Sequence, residues 1–169
     1  GEETLRLATR RHLTPVLQQM CARVAFGHCL CGQAAASGET VFESHLSGHH
    51  HNRYDGIDDH GHYCQPLTSD GRILGVLNLY VASGHQESPQ ERDFLQGVAD
   101  TLAGIIERDQ MDVERQRLAT VIEASPDFVG IADIDGTPRY FNRAARRVLD
   151  AEGADPSACR MAPAFPEWA

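Results

Sequence analysis

Two short segments of the sequence concentrate side chains that bind metals or carry out redox chemistry. They are "HCLCG", residues 28–32, and "HGHYC", residues 60–64. Their histidines and cysteines are His28, Cys29, Cys31, His60, His62 and Cys64. Alternate side chains of an extended strand share one face, so the three in the second segment should project to the same side. Seven of the nine histidines lie between residues 28 and 62.

The cysteine content favours metal binding or thiol chemistry over structural disulfides. The chain has five cysteines, an odd number, and no secretory signal core at its N-terminus. In a reducing compartment, clustered cysteine and histidine more often bind metal or undergo redox reactions than form bridges. Thiolate and imidazole ligands suit zinc or iron.

Charge and hydropathy exclude several classes of partner. The 169 residues carry a net charge of −9, and 41 % of them are hydrophobic. A nucleic-acid or anionic-membrane partner would require clustered positive charge, which this chain lacks. No apolar run reaches the length of a membrane span. A cytoplasmic protein with a packed core is the expectation.

Periodicity predicts a mixed α+β fold in the first two thirds of the chain. A half-buried strand is expected near Leu5, and a helix beginning at Pro15 has apolar side chains at helical spacing as far as Val24. A short alanine-rich helix should end at Gly38, and "TVFES" should be a strand. Residues 45–61 are polar and glycine-containing, which indicates a long loop.

A β-hairpin and a long helix are predicted next. "HYCQPLT" and "RILGVLNLYVA" are joined by "SDG", a turn sequence typical of hairpins. Ser88 and Glu91 form a capping box in front of a helix that should run from Pro89 towards Ala124. The predicted core of this sheet and helix is Leu74, Val76, Leu77, Leu79, Leu95, Val98 and Leu102. Beyond the helix, a strand, an Asp-Gly turn, a second strand and a helix capped by Asn142 are expected.

These elements resemble two signalling modules. "CLCGQAAASGE", "PLTSDGRILGVLNLY" and "ERDFLQGVADTLAGIIER" are similar to the later part of a GAF domain, a bacterial module that binds small molecules. "VIEASPDFVGIADIDGTPRYFNRAARRVL" resembles the start of a PAS domain. The resemblance implies a GAF-like antiparallel sheet flanked by helices, a long linker helix and a partial PAS-like α/β segment. The predicted boundaries are 1–106, 107–124 and 125–169.

The same resemblance implies a sensory function. GAF and PAS modules in this order are typical of sensor histidine kinases and diguanylate cyclases, and the sequence resembles a central fragment of such a protein. The sequence shows no kinase, cyclase or phosphate-binding motif, so we expect a non-catalytic module. It should form a homodimer through the linker helix and relay a signal to the parent protein's output domain.

In a GAF domain, the "CLCG" turn and the loop before "HYCQPL" lie at the ligand-binding end. The resemblance therefore implies that Cys29, Cys31, His62 and Cys64 bind zinc or iron. His28, His60 and Tyr63 are the candidates for contacting a bound ligand. A redox reading without metal uses the same thiols, with Cys64 pairing with Cys29 or Cys31. The three histidines at 49–51 are expected to be a solvated run, with the alternative that one of them closes over a ligand.

An enzymatic alternative comes from free methionine-(R)-sulfoxide reductases, which are also GAF domains. "CGQAA" and "GHYC" are similar to segments of that family, and Cys31 and Cys64 would then be the catalytic and resolving thiols in either assignment. The acidic residues that this family carries on the following strand are replaced here by "LNLYV". The departure favours a sensor over a reductase.

Overall fold

A computed structural model describes residues 3–150. The chain divides into two compact units, the first ending at Asp109 and the second beginning at Gln110. Each unit mixes helices with antiparallel strands, as the α+β prediction requires. None of the described helices has the length and apolar character needed to cross a membrane.

The first unit begins with a small two-stranded sheet. Strands β1 (Thr4–Arg6) and β2 (Arg23–Ala25) are antiparallel, with Leu5 opposite Val24. Helix α1 (Pro15–Met20) connects them, and the hydroxyl of its cap Thr14 accepts a hydrogen bond from the backbone amide of Leu17. The predicted continuation of this helix to Val24 is wrong: the helix ends at Met20, and Val24 is buried in a strand.

Helix α2 (Cys29–Ser37) follows a tight turn and ends at Gly38, as predicted. Gly38 has a φ of 72°, in the left-handed region where glycine carries no steric penalty. Within the helix, a Cβ on Gly32 would lie 2.4 Å from the carbonyl oxygen of Ala25. This contact brings the start of α2, with Cys29, close against β2.

The main sheet has three antiparallel strands in the order β3–β4–β5. Their bounds are Val41–Glu43, His60–Ser69 and Arg72–Ala82. Asp70 and Gly71 form the turn between the two long strands, and both have positive φ, as a two-residue hairpin turn requires. The predicted strand, long loop and hairpin are confirmed.

Pro66 lies in the middle of the central strand, where a residue without an amide hydrogen is usually excluded. The pairing register explains how it is accommodated. The last pair between β3 and β4 is Val41 with Cys64, so β4 has only β5 as a neighbour at Pro66. The proline therefore lies beyond the shorter strand and its missing donor removes no bond to β3.

Helix α3 (Pro89–Ala124) is continuous over 36 residues. Its capping box is confirmed, because the backbone amide of Glu91 donates to the Ser88 hydroxyl and the Glu91 carboxylate accepts from the Ser88 amide. The helix extends past the boundary between the two units. Its role as a signalling linker remains a prediction.

The main sheet lies between two helices, each against one face. On one face Cys64 packs with Leu30 and Ala34 of α2. On the other face Leu67 packs with Ala99 and Ala103 of α3. Of the seven predicted core residues, Leu95 is buried and the others are half-buried. The most deeply buried positions include Leu30 of α2 and His62, Cys64 and Gln65 of β4, which the prediction omitted.

The second unit contains a two-stranded sheet, β6 (Gly130–Ala132) with β7 (Pro138–Phe141), and helix α4 (Arg143–Val148). Gly136, in the turn between the strands, has a φ of 82°. Asn142 caps α4, because its Oδ1 accepts from the backbone amide of Ala145 at 2.9 Å. The predicted strand, turn, strand and capped helix are confirmed as elements, whereas their identity as part of a PAS domain stays a prediction.

Candidate metal centre

Strand β4 sends its functional side chains to two different faces of the sheet. On the α2 face, His62 Nδ1 lies 3.0 Å and Cys64 Sγ lies 3.7 Å from the same atom, Asn78 Oδ1. On the α3 face, the hydroxyl of Tyr63 donates to the carboxylate of Glu91 at 2.8 Å. Strand alternation therefore places Tyr63 away from the cysteine and histidine side chains.

Three imidazoles converge on the α2 face. One nitrogen from each of His50, His60 and His62 lies within 4.8 Å of the other two. The ring centroids of His50 and His60 are 4.7 Å from that of His62, and those of His50 and His60 are 5.6 Å apart. We call these residues the three-histidine cluster. Among the residues that the structure describes, no other group of three or more potential ligands meets this distance.

One nitrogen of each ring in the cluster is buried without a hydrogen-bond partner. These atoms are His50 Nδ1, His60 Nε2 and His62 Nε2. Burial of an unpartnered polar atom destabilises a fold, so such atoms are rare unless they bind something. The three rings that carry them form a group that could hold a metal ion.

The other nitrogens of two rings are held by hydrogen-bond acceptors. His60 Nδ1 contacts the carbonyl oxygen of Asp58, and His62 Nδ1 contacts Asn78 Oδ1. Both partners can only accept, so each Nδ1 carries the proton and each Nε2 presents a lone pair. This arrangement is the one found around metal-binding histidines, whose second nitrogen donates to a carbonyl or carboxylate.

Burial favours the neutral, metal-binding form of two of the imidazoles, His50 and His62. It lowers the pKa of His62 to about 4, although the hydrogen bond to Asn78 acts in the opposite direction. Burial also lowers the pKa of His50. At neutral pH these two rings are therefore uncharged and need not lose a proton before a metal binds.

His50 comes from the loop between β3 and β4, and its neighbours anchor that loop. The side-chain amide of Asn52 donates to the carbonyl oxygen of Met20 and to Cys21 Sγ, both at 3.4 Å. On the other side, His51 Nδ1 accepts from the backbone amide of Cys29 at 3.1 Å. The ends of α1 and the start of α2 thus hold the loop over β4.

The cysteines lie beside the cluster and are occupied in other ways. Cys29 is at the first position of α2, and hydrogen bonds from the Cys31 thiol and from the backbone amides of Asn52 and Leu30 lower its pKa. The pKa of Cys31 is raised, chiefly because its thiol donates to Cys29. The pKa of Cys64 is raised by burial. One thiolate, Cys29, is thus stabilised and two thiols stay protonated.

The structure brings together a different set from the one predicted. Of the four predicted metal ligands, only His62 belongs to the cluster, because the sulfurs of Cys29, Cys31 and Cys64 are not within ligand distance of all three rings. His60, predicted as a ligand contact, is part of the cluster. His28 is exposed and stacks on His51 with centroids 4.7 Å apart.

The interpretation of residues 49–51 as a solvated run is wrong for one of them. His50 is only 4 % exposed and belongs to the cluster. His49 is exposed as expected, and it pairs with Glu43 at 3.2 Å. His51 is exposed but bonded to Cys29. The one signal in the sequence that pointed to His50 was the density of histidines. The spacing of three consecutive histidines does not indicate that the middle one is buried.

A comparison with known families matches residues 2–107 to the GAF domain. The match covers well over half of the chain, so the protein belongs to the GAF domain family. This identification agrees with the sheet between two helices and suggests a sensory or regulatory module. Comparisons with curated proteins and with solved structures found no match.

Proposed function

We propose that this chain is a sensory GAF module whose signal is the occupancy of a transition-metal site formed by the three-histidine cluster. The observation that carries the proposal is the convergence of three imidazoles, those of His50, His60 and His62, each of which has one buried nitrogen without a hydrogen-bond partner. Imidazole ligands suit zinc, iron and other late first-row metals, and zinc or iron are the metals we propose.

The distances in the cluster are compatible with a small closing movement around an ion. Zinc-to-nitrogen bonds of about 2.0–2.1 Å in tetrahedral geometry separate two ligand nitrogens by about 3.3 Å. The nitrogens here lie within 4.8 Å of one another. Metal binding would therefore draw the loop that carries His50 towards β4, which is a change that a sensor can transmit.

The first experiment is a metal titration of the chelator-treated full chain, purified without an affinity tag. We expect one equivalent of Zn²⁺ or Co²⁺ to bind. His62→Ala and His50→Ala should each weaken binding by more than about 100-fold, because replacing a residue that only supports a metal ligand already lowers affinity by up to that factor. His49→Ala is the matched control and should bind normally. Equal affinity in all four proteins would contradict the proposal.

We propose that the module acts within a bacterial signal-transduction protein. The proposal is associational: it follows from the GAF family and from the resemblance of residues 125–169 to a PAS domain. The output would be a histidine kinase or diguanylate cyclase domain outside this chain, reached through α3 in a cytoplasmic homodimer. The output activity of a fusion between this chain and such an output domain, measured with and without metal, tests the proposed signalling role.

The reductase alternative requires reactive thiols at Cys31 and Cys64. Nucleophilic cysteines need a lowered thiol pKa. Here the pKa values of both residues are raised, by the donation to Cys29 and by burial respectively. We therefore propose that the chain is not an enzyme. Turnover of free methionine sulfoxide by the isolated chain with a thiol reductant, lost in Cys64→Ser, would overturn this.

A further inference from the structure

We propose that the metal ion held by His50, His60 and His62 keeps an open coordination position, and that this position binds one small monodentate anion from solution. The inference rests on the proposed function, because it concerns a ligand of the metal. The module would then sense a small monodentate anion together with a metal.

The number of available donors leads to the open position. Zinc and similar ions take at least four ligands, and sites with three protein ligands complete the shell with water or a substrate. Within residues 3–150, only the three imidazoles meet the distance for a shared ion. One position is thus left for a ligand that the described part of the chain does not supply.

The nearest thiolate is already satisfied by other donors. Cys29 accepts hydrogen bonds from the Cys31 thiol and from the backbone amides of Leu30 and Asn52. The Cys64 thiol donates to Asn78 Oδ1. To reach the ion, Cys29 would have to give up three donors. It is better placed to balance charge from a distance than to bind the metal.

The charge around the cluster favours an anion. Three neutral imidazoles leave the two positive charges of the ion uncompensated, and no carboxylate of the described residues belongs to the cluster. The guanidinium of Arg53 acts on His50 as a further positive charge, and the Cys29 thiolate is the negative charge that acts on it. The thiolate does not cancel the positive charge of the ion and Arg53, so the site stays positive and favours an anion in the open position.

The enclosure of the site limits the ligand to a few atoms. One nitrogen of each imidazole is almost fully buried, and the ring centroid of Tyr80 lies 4.9 Å from that of His60 and 4.5 Å from that of His62. Tyr80 itself is 43 % exposed, so it lies between the imidazoles and solvent. We infer that only a ligand of two or three atoms enters past this ring.

The test uses the Co²⁺-loaded full chain and azide as the probe. Co²⁺ reports its coordination through its visible absorption bands. We expect azide to shift these bands with saturation at one equivalent per metal. Cys29→Ser should bind azide more tightly, since it removes a neighbouring negative charge. Arg53→Ala should bind it about two- to fivefold more weakly, as expected for a charge partly screened by solvent.

Two results would overturn the inference while leaving the metal site in place. One is a cobalt spectrum that azide does not change. The other is a strong thiolate-to-cobalt charge-transfer band that disappears in Cys29→Ser, together with azide binding that appears only in that variant. This pattern would show that Cys29 closes the coordination shell. Failure of the wild-type chain to bind Co²⁺ would overturn the proposed function as well.

Discussion

At the scale of single residues, Asn78 is central to the candidate site although it binds no metal itself. Its Oδ1 faces both His62 Nδ1 and Cys64 Sγ, at 3.0 and 3.7 Å. By accepting the Nδ1 proton of His62, it fixes which nitrogen of that ring presents a lone pair. One amide oxygen on β5 thus determines the ligand atom that β4 offers.

Asn78→Ala should therefore lower metal affinity by about 10- to 100-fold, the usual effect of removing the acceptor behind a histidine ligand. Asn78→Asp should retain affinity, because a carboxylate also accepts from Nδ1. Competition of each variant against a chromogenic chelator measures the effect. If Asn78→Ala binds metal as tightly as the wild type, the tautomer is not set by this contact.

Acid should destabilise the metal-free fold through the buried histidines. The pKa of His62 falls to about 4 on burial, from an unfolded value near 6.5. Between these values the unfolded chain binds the proton and the folded chain does not, so stability is full above pH 6.5 and is lost as pH falls towards 4. The slope for one such group is about 1.4 kcal/mol per pH unit.

Urea denaturation at several pH values between about 7.5 and about 4.5, a range that covers about two units of the titration, measures this slope. His62→Gln removes the titrating group and should flatten the pH dependence of the free energy of unfolding. His49→Gln, at an exposed position, is the control and should follow the wild type. A His62→Gln curve parallel to the wild-type curve would refute the assignment.

The site was only partly predictable from the sequence, for a reason visible in individual residues. Strand alternation correctly placed His62 and Cys64 on one face, because that pattern is local. His50 joins them only because Asn52 bonds to Cys21 and His51 bonds to Cys29, and no periodicity encodes contacts between such distant segments. The cysteines were predicted as metal ligands from their chemistry alone, which does not reveal that Cys29 already accepts hydrogen bonds from three donors.

At the scale of elements, Gly61 controls how closely the strands of the site approach. It lies between His60 and His62 in β4, and a Cβ there would be 2.5 Å from the carbonyl oxygen of Glu43 and 2.9 Å from Val81 Cγ2. Both neighbouring strands therefore press against this position. The spacing of the two flanking histidines depends on the absence of a side chain.

Gly61→Ala should destabilise the fold by about 1–3 kcal/mol, the usual effect of overpacking a tight site, and weaken metal binding with it. Gly75→Ala in β5 is the matched control, since its Cβ would lie 3.7 Å from Leu67 Cδ1, an ordinary contact. Thermal unfolding with and without metal compares the two variants. Equal stability of both would mean that β3 and β5 can move apart at little cost.

Local signals predicted most of the elements, and one failure is informative. The capping box, the Asp70-Gly71 turn and the Asn142 cap each act within four residues, and all are present. The apolar spacing up to Val24 indicated a helix, but Val24 pairs with Leu5 in a sheet. Pairing with a segment 19 residues away overrode the local periodicity. A local sequence pattern contains no information about such a distant pairing.

At the scale of the whole molecule, the part of α3 in the second unit has apolar side chains that the single chain leaves exposed. Met111, Leu118 and Val121 are 60 %, 53 % and 62 % exposed. Their spacing of seven and three residues matches the apolar positions of a coiled coil. A second copy of the helix is the partner that we propose for them.

Sedimentation equilibrium should accordingly give a mass near twice that of the monomer. Leu118→Glu combined with Val121→Glu should shift the chain to monomer, because charges at these positions repel across the seam. Gln116→Glu adds a charge to the same helix at an exposed position outside this spacing and serves as the control. A monomeric wild type would contradict the proposed homodimer.

The bond between Tyr63 and Glu91 has a further consequence. Tyr63 lies between His62 and Cys64 on β4, and the carboxylate that it contacts also caps the first turn of α3. The proposed movement of the His50 loop onto β4 when metal binds would thus be transmitted through this strand to the start of the helix. Coupling free energies are reciprocal. If metal binding is coupled to the start of α3 in this way, a partner that binds there would change the affinity for metal by the same factor by which metal changes the affinity for that partner.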